Sequence, residues 1–279
     1  SKKLSNLLLM VVCPCLIINS HQIDYRPELF IGLVLCLLFS GISFALDVLV
    51  AHVVIRPDSG RDEAIERMGI IYSNCAFIGI PLVEGVLGKE GVFYVTAYLT
   101  VFNTLVWTHG VSLMRGKGTL RESLGHLNTP TIYAIGLGLL LFFSQIRLPA
   151  LLAGPVASLS ALNTPLAMLV CGFFIAGVDW NRFREKGVLY ASLTRLVWIP
   201  LLNMLLYWVL GLHRWIDDGV TLVLVNLIAG ACPAAIATSM MSARYGLDGE
   251  YASVIVAVTT VGCLVTVPLI AMLGQMIFV

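Results

Sequence analysis

Nine apolar runs follow one another with only short polar interruptions: 4–21, 29–55, 68–87, 91–113, 129–146, 150–178, 188–210, 216–243 and 250–277. Each is close to or above the roughly 20 residues that carry a helix through a bilayer. The alternation of a membrane barrel is absent, so the spans read as helices, which satisfy their own backbone groups in lipid. Two runs carry breakers at matching places, Gly79-Ile80-Pro81 in 68–87 and Gly230-Ala231-Cys232-Pro233 in 216–243. Proline removes an N–H and crowds the preceding turn, and glycine lets another backbone approach. Interrupted helices at corresponding positions of two halves point to a solute site near the bilayer midplane.

The order of features repeats. Runs 4–21 and 150–178 each hold an internal proline, Pro14 and Pro165. Runs 29–55 and 188–210 each hold one charge, Asp47 and Arg195. The broken runs come next, and 91–113 and 250–277 close the two sets. The second set has an extra leading run, 129–146, so the pattern predicts one further helix ahead of residue 1. Five spans per set is an odd number, which places the sets in opposite orientations. The expected organisation is an all-α polytopic membrane protein of inverted five-helix repeats with crossed discontinuous helices. Residues 1–113 form the first repeat without its first helix, 114–128 a short cytoplasmic linker, and 129–279 the second repeat.

Composition agrees: 58% of the 279 residues are hydrophobic and only 12% charged, too few for a soluble surface. The charged linkers alternate. Lys2, Lys3, Arg56, Arg61, Arg67, Arg115, Lys117, Arg121, Arg182, Arg184, Lys186 and Arg244 fall on one side. Arg26, Lys89, Arg147 and Arg214 fall on the other. The positive-inside rule puts the richer side in the cytoplasm, with the start of the chain inside and its end outside. Segment 56–67 reads as a short cytoplasmic surface helix or loop. A net charge of +1 without a basic block gives no footprint for nucleic acid. The seven cysteines lack metal-ligand spacing and read as small core residues.

Each broken helix exposes N–H groups at one new end and C=O groups at the other. The first kind favours an anion and the second a cation. Candidate substrate-binding residues are therefore Asn74, Gly79 and Pro81 at the first break, and Pro233 and Thr238 at the second. Asn74 can donate to a carboxylate and accept from unwound backbone. Asn163 and Thr164, before Pro165, are a weaker third group that could cap a half-helix or line the route. Asp47 and Arg195 sit at equal depth, about 11 Å from the cytoplasmic ends of their runs. They are candidates for an ion pair across the repeat. Glu84 is a candidate for proton uptake. His52 and His109 have no partner at metal-ligand spacing. No phosphate loop, nucleophile elbow or hydrolytic carboxylate pair appears, so the sequence does not read as an enzyme.

The stretch Asn74-Cys75-Ala76-Phe77-Ile78-Gly79-Ile80-Pro81, followed by Gly85, Leu87 and Gly88, closely resembles the auxin efflux carrier family. So do Pro233-Ala234-Ala235, Ala243-Arg244-Tyr245-Gly246, Ala252-Ser253 and Thr266-Val267-Pro268. That family includes bacterial transporters of malate and related acids, and is distantly similar to bile-acid sodium symporters. The resemblance covers essentially the whole chain. It implies ten helices in two inverted repeats, with residues 1–279 spanning the second to the tenth. It implies a scaffold containing 4–21, 129–146 and 150–178, often at a dimer interface, and a crossing made by 68–87 and 216–243. It assigns Asn74 a binding role and makes Pro81 and Pro233 the crossing prolines. The short segment 114–128 stands where plant auxin carriers have a large cytoplasmic loop, which implies a bacterial inner-membrane member with a small carboxylate substrate.

The expected function is alternating-access secondary transport of small organic anions, malate-like mono- or dicarboxylates, by a homodimer in lipid with no bound cofactor. Coupling would use protons, sodium being the weaker candidate. Alternatives are a sodium-coupled organic-anion symporter and a non-transporting membrane ligand sensor or scaffold.

Overall fold

The computed structural model describes residues 2–56, 62–115 and 130–279. Most of the linker 114–128, and residues 57–61 of the segment read as a surface element, lie outside the described residues. The described chain is helical throughout. α1 spans 2–20 and α2 Pro27–Val54. α3, Glu63–Ile71, is followed by α4, 75–87. Gly88, at φ 65° and ψ −157°, ends α4 and starts α5, 89–115. Glycine alone adopts that backbone without strain. α6 is Pro130–Ser144 and α7 covers 150–176 with a joint at Leu162. α8 is Lys186–Leu210, α9 Gly219–Ala231, α10 Ile236–Arg244 and α11 Gly249–Phe278.

Among the described residues, four helices are long and apolar enough to cross a membrane: Pro27–Val54, Ala150–Phe173, Lys186–Leu210 and Gly249–Phe278. The chain is a multi-pass membrane protein. Its outer faces carry large exposed apolar side chains, such as Leu151, Leu169 and Phe173 on α7. In lipid such a surface needs no polar cover.

The first break does not fall at Gly79-Ile80-Pro81. It falls at Tyr72–Asn74, and Pro81 sits inside continuous helix. The reason is local. A π turn at Cys75–Gly79 ends two residues before Pro81. The π turns Leu8–Val12 and Thr194–Trp198 stand in the same relation to Pro14 and Pro200. An extra residue in the turn moves the carbonyl that the proline ring would strike and absorbs the missing donor. The helix therefore continues through all three prolines. Residues 63–67, expected on the surface, belong to the first half of the broken helix. Glu66 there is fully buried and accepts a 2.6 Å hydrogen bond from the Tyr251 hydroxyl of α11. Gly187 at the start of α8 makes room for this pair, since a Cβ there would overlap both groups.

The helices sort into two groups by packing. α1 lies against α6 and α7. The two broken helices pack with α2, α5, α8 and α11. The groups meet where α7 touches the start of α4 and α11, and where α1 and α6 touch the stretch 80–105 of α4 and α5.

Candidate functional site

The two breaks meet each other. The Asn74 backbone N–H donates to the Pro233 carbonyl at 2.7 Å, and the Ala235 N–H donates to the Tyr72 carbonyl at 2.8 Å. Ser73 and Ala234 thereby form an isolated antiparallel bridge. The Ala234 N–H donates to Thr259 Oγ1 of α11 at 3.1 Å. Unwound backbone inside a membrane protein is thus satisfied by the other unwound segment, as burial demands.

The crossing separates four helix ends by sign. α3 and α9 end there with outward-pointing carbonyls, and Arg195 lies against them. Its Nε donates to Cys232 O at 2.9 Å, Nη1 to Ile70 O at 2.7 Å and to Ile71 O at 3.4 Å, and Nη2 to Gly230 O. α4 and α10 begin on the opposite side. Among the described residues neither start is capped by the side chain of its N-cap residue: Asn74 is the N-cap of α4 and makes no capping hydrogen bond, and Ala235 is the N-cap of α10. The first N–H groups of a helix have no partner within it.

A cavity of ≈ 160 Å³ adjoins these two starts. Ser73, Asn74, Ala76 and Phe77 line it from the first break, and Ala235, Ile236 and Ala237 from the second. Leu9, Cys13 and Ile17 of α1, Ile80 of α4, Leu99, Phe102, Asn103, Val106 and Trp107 of α5, Thr131 of α6, and Met240 and Met241 of α10 complete the wall. Among the described residues no charged side chain lines it. Among the described residues the Asn74 amide donates only to Cys171 Sγ, at 3.9 Å, a weak acceptor that an anionic oxygen outcompetes.

Residues 1–124 and 119–271 match the family described as membrane transport protein. The chain belongs to that family. It is also similar to a protein described as an uncharacterized transporter from Methanothermobacter thermautotrophicus (strain Delta H), 26% identical over 281 residues, covering 95% of this chain and 86% of the relative. The family and this relative are transporters rather than enzymes, and the auxin-efflux-carrier resemblance of the sequence falls within the family.

Within this membrane transport protein the residues singled out from sequence fall in different places. Asn74 lines the cavity. Gly79 faces Cys232, whose Sγ would stand 3.3 Å from an added Cβ. Pro233 supplies the carbonyl that holds Asn74, whereas Pro81 sits about two turns beyond the break. Thr238 is fully buried on α10, and its hydroxyl has no hydrogen-bond partner among the described residues. It is not part of the cavity wall. Asn163 stands behind that wall and accepts from the Cys13 thiol at 3.4 Å, while Thr164 is exposed. Asp47 Oδ2 lies 3.8 Å from Arg195 Nη1, both side chains fully buried, and Asp47 Oδ1 accepts from Asn203 Nδ2 at 2.8 Å. Glu84 is exposed on α4.

From sequence, Asn103 and Asn203 inside the spans read as packing or interhelical hydrogen-bond residues, and Asn203 makes such a bond, to Asp47. Asn203 lies two helical turns after Arg195, on the same face of α8, a spacing that signals a shared partner. The apolar cavity residues Trp107, Met240 and Met241 carry no chemical signature that separates them from any other membrane side chain.

Proposed function

We propose that this protein is a secondary active transporter of small organic anions, working by alternating access in the cytoplasmic membrane. The observation that carries the reading is the pairing of two helix starts without an N-cap side-chain bond, and of Asn74, with a cavity that no charged side chain lines among the described residues. An anion there meets oriented N–H dipoles and an amide donor without a salt bridge. The remaining lining is mostly apolar. One anion-receiving end beside an apolar body ranks a monocarboxylate with an apolar tail above malate and other dicarboxylates.

On this reading the order of the helices is an inverted repeat. α2 to α5 correspond to α8 to α11, and α1 to α7. The group α1, α6 and α7 serves as the scaffold of a homodimer, and the crossed group carries the solute. The cavity reaches toward Leu9, Trp107, Thr131 and Met241, near helix ends that charge bias assigns to the cytoplasm. This is an inward-facing arrangement. With the interior negative, export of an anion is favoured by about 2.3 kcal/mol per charge per 100 mV, and import needs coupled cations.

The test is flux in proteoliposomes containing the purified protein under an imposed membrane potential. Labelled malate is compared with a labelled aromatic monocarboxylate, and proton and sodium gradients are varied separately. Saturable flux that falls in Asn74→Ala supports the reading, and the better substrate ranks the two anion classes. Saturable binding without flux in any gradient supports a ligand sensor instead.

A further inference from the structure

We propose that Arg195 is a tethered cation, permanently filling a monovalent-cation site formed by the carbonyl ends of the two broken helices. The ligand set is one that a hard cation takes. Four backbone carbonyls, Ile70, Ile71, Gly230 and Cys232, converge on one fully buried guanidinium. They come from the C-terminal ends of α3 and α9, while the charge is delivered by a third element, α8. Two broken helices crossing in a membrane leave two negative ends side by side. Each end carries roughly −0.5 of an elementary charge, so about one positive charge offsets the pair. The guanidinium is that charge.

A plain Arg195–Asp47 salt bridge describes the geometry less well. The carboxylate, at 3.8 Å, is the longest contact in the set, and the short hydrogen bond of Asp47 goes to Asn203. The carbonyls hold the guanidinium more closely than Asp47 does, and Asp47 is a further oxygen ligand at the rim. With the site filled by a side chain, the crossing is complete without a bound ion. Cation binding at this position then adds nothing to stability or to turnover. The consequence for turnover rests on the transport reading above, whereas the filled site itself rests on geometry alone.

The experiment is thermal unfolding of the purified full chain in detergent at fixed ionic strength and pH. Choline chloride is exchanged for sodium, lithium or millimolar guanidinium chloride. Wild type is expected to melt at the same temperature in all of them, and so is Arg195→Lys. Arg195→Ala is expected to melt lower in choline and to regain at least half of the loss, saturably, in sodium or guanidinium. The double variant Arg195→Ala/Asp47→Asn regains less. Arg195→Gln, which keeps donors but no charge, repeats the test should the alanine variant fail to fold in choline. Recovery by a small cation that choline cannot reproduce separates a vacated cation site from a general packing defect. Stabilisation of wild type by sodium over choline overturns the proposal. So does the absence of cation-specific recovery in both uncharged variants, whether they fold or not. The readout is melting and not flux, so its failure leaves the anion-transport reading intact, and a failure of carboxylate flux leaves this one intact.

Discussion

Ser73 and Ala234 pair as an antiparallel bridge between two interrupted helices, flanked by the reciprocal bonds Asn74 N–H to Pro233 O and Ala235 N–H to Tyr72 O. The bridge has a polarity. It fixes α3 and α9 with their carbonyl ends on Arg195, and α4 and α10 with their N–H ends on the cavity. One short stretch of backbone thus creates a cation-favouring pole and an anion-favouring pole within the same crossing.

Asp47 sits at the cation-favouring pole, and its loss tests how far the carbonyls alone hold Arg195. Asp47→Ala removes the carboxylate near a fully buried guanidinium and leaves Asn203 Nδ2 without that acceptor. Breaking a buried ion pair costs about 3–5 kcal/mol when nothing else takes the charge. Four carbonyls remain here, so the expected loss lies nearer 1–3 kcal/mol, the scale of an unsatisfied buried polar group. Asp47→Asn should be milder than Asp47→Ala. Melting temperatures of the two variants check both statements, and equal stability of Asp47→Ala and wild type would refute them.

Close approach of the two broken helices depends on Gly79. A Cβ there would lie 3.3 Å from Cys232 Sγ and 3.4 Å from Cys75 Cβ. Gly79→Ala needs a shift of a few tenths of an ångström and should fold. Gly79→Val adds branches that the crossing has no room for. Overpacking of this kind costs about 1–3 kcal/mol. Expected is lower melting together with loss of flux in the valine variant, and near-normal behaviour in the alanine variant.

Much of this was readable in the residues. The apolar runs marked the helices, because lipid demands length and apolarity and little else. The repeated order of proline, single charge and breaker placed 68–87 and 216–243 in corresponding positions, and they are the segments that cross. Equal depth brought Asp47 and Arg195 into the same argument. The position of the first break was not readable from proline alone. Pro81 suggests an interruption, but the π turn at Cys75–Gly79 absorbs it, and the chain opens instead at Tyr72–Asn74, where no glycine or proline stands. That break is set by its partner: the Pro233 and Ala235 backbone takes up the groups that Tyr72 and Asn74 release. A tertiary cause of this kind leaves no local mark. The same holds for Arg195, whose ligands are carbonyls and so are independent of side-chain identity.

Asp248 offers a check outside the membrane-spanning segments. It caps α11, accepting from the Tyr251 N–H at 2.9 Å, and Arg182 Nη1 stands 2.9 Å from its other oxygen. Partial burial alone would raise its pKa, but these two partners outweigh it and hold the carboxyl below its usual range. A depressed folded-state pKa contributes stability that is fully present above the unfolded value, about 3.9, and is lost as pH falls through the folded value. Asp248→Ala should cost about 1 kcal/mol, the usual worth of an N-cap. That cost should be constant from pH 8 to pH 5 and shrink only in stronger acid. Asp248→Asn keeps the cap and loses a solvent-screened ion pair, so it should lie within about 1 kcal/mol of wild type. Melting at several pH values tests each point, and a difference that changes between pH 8 and pH 5 would count against the assignment.

Asn74 allows stability and function to be pulled apart. It occupies the N-cap of α4 at φ −80° and ψ 50°, yet its side chain makes no capping bond and borders the cavity. Asparagine is among the best N-cap residues, so leaving that role unused frees the amide for a solute. Asn74→Asp places a carboxylate, an equally good cap, at the positive end of a helix. The fold should be unharmed or slightly more stable. An anionic solute would then face a like charge in a cavity with no compensating charged side chain among the described residues, and its binding should fall below detection. Asn74→Ala removes one donor to a charged group, worth about 1.5–3 kcal/mol, or roughly a 10- to 100-fold loss of affinity. The expected order of affinity is wild type, then Asn74→Ala, then Asn74→Asp, while stability does not follow that order. Isothermal titration with a carboxylate that shows saturable flux, alongside thermal melts, measures both series. Undiminished carboxylate binding by Asn74→Asp would move the anion away from this helix start.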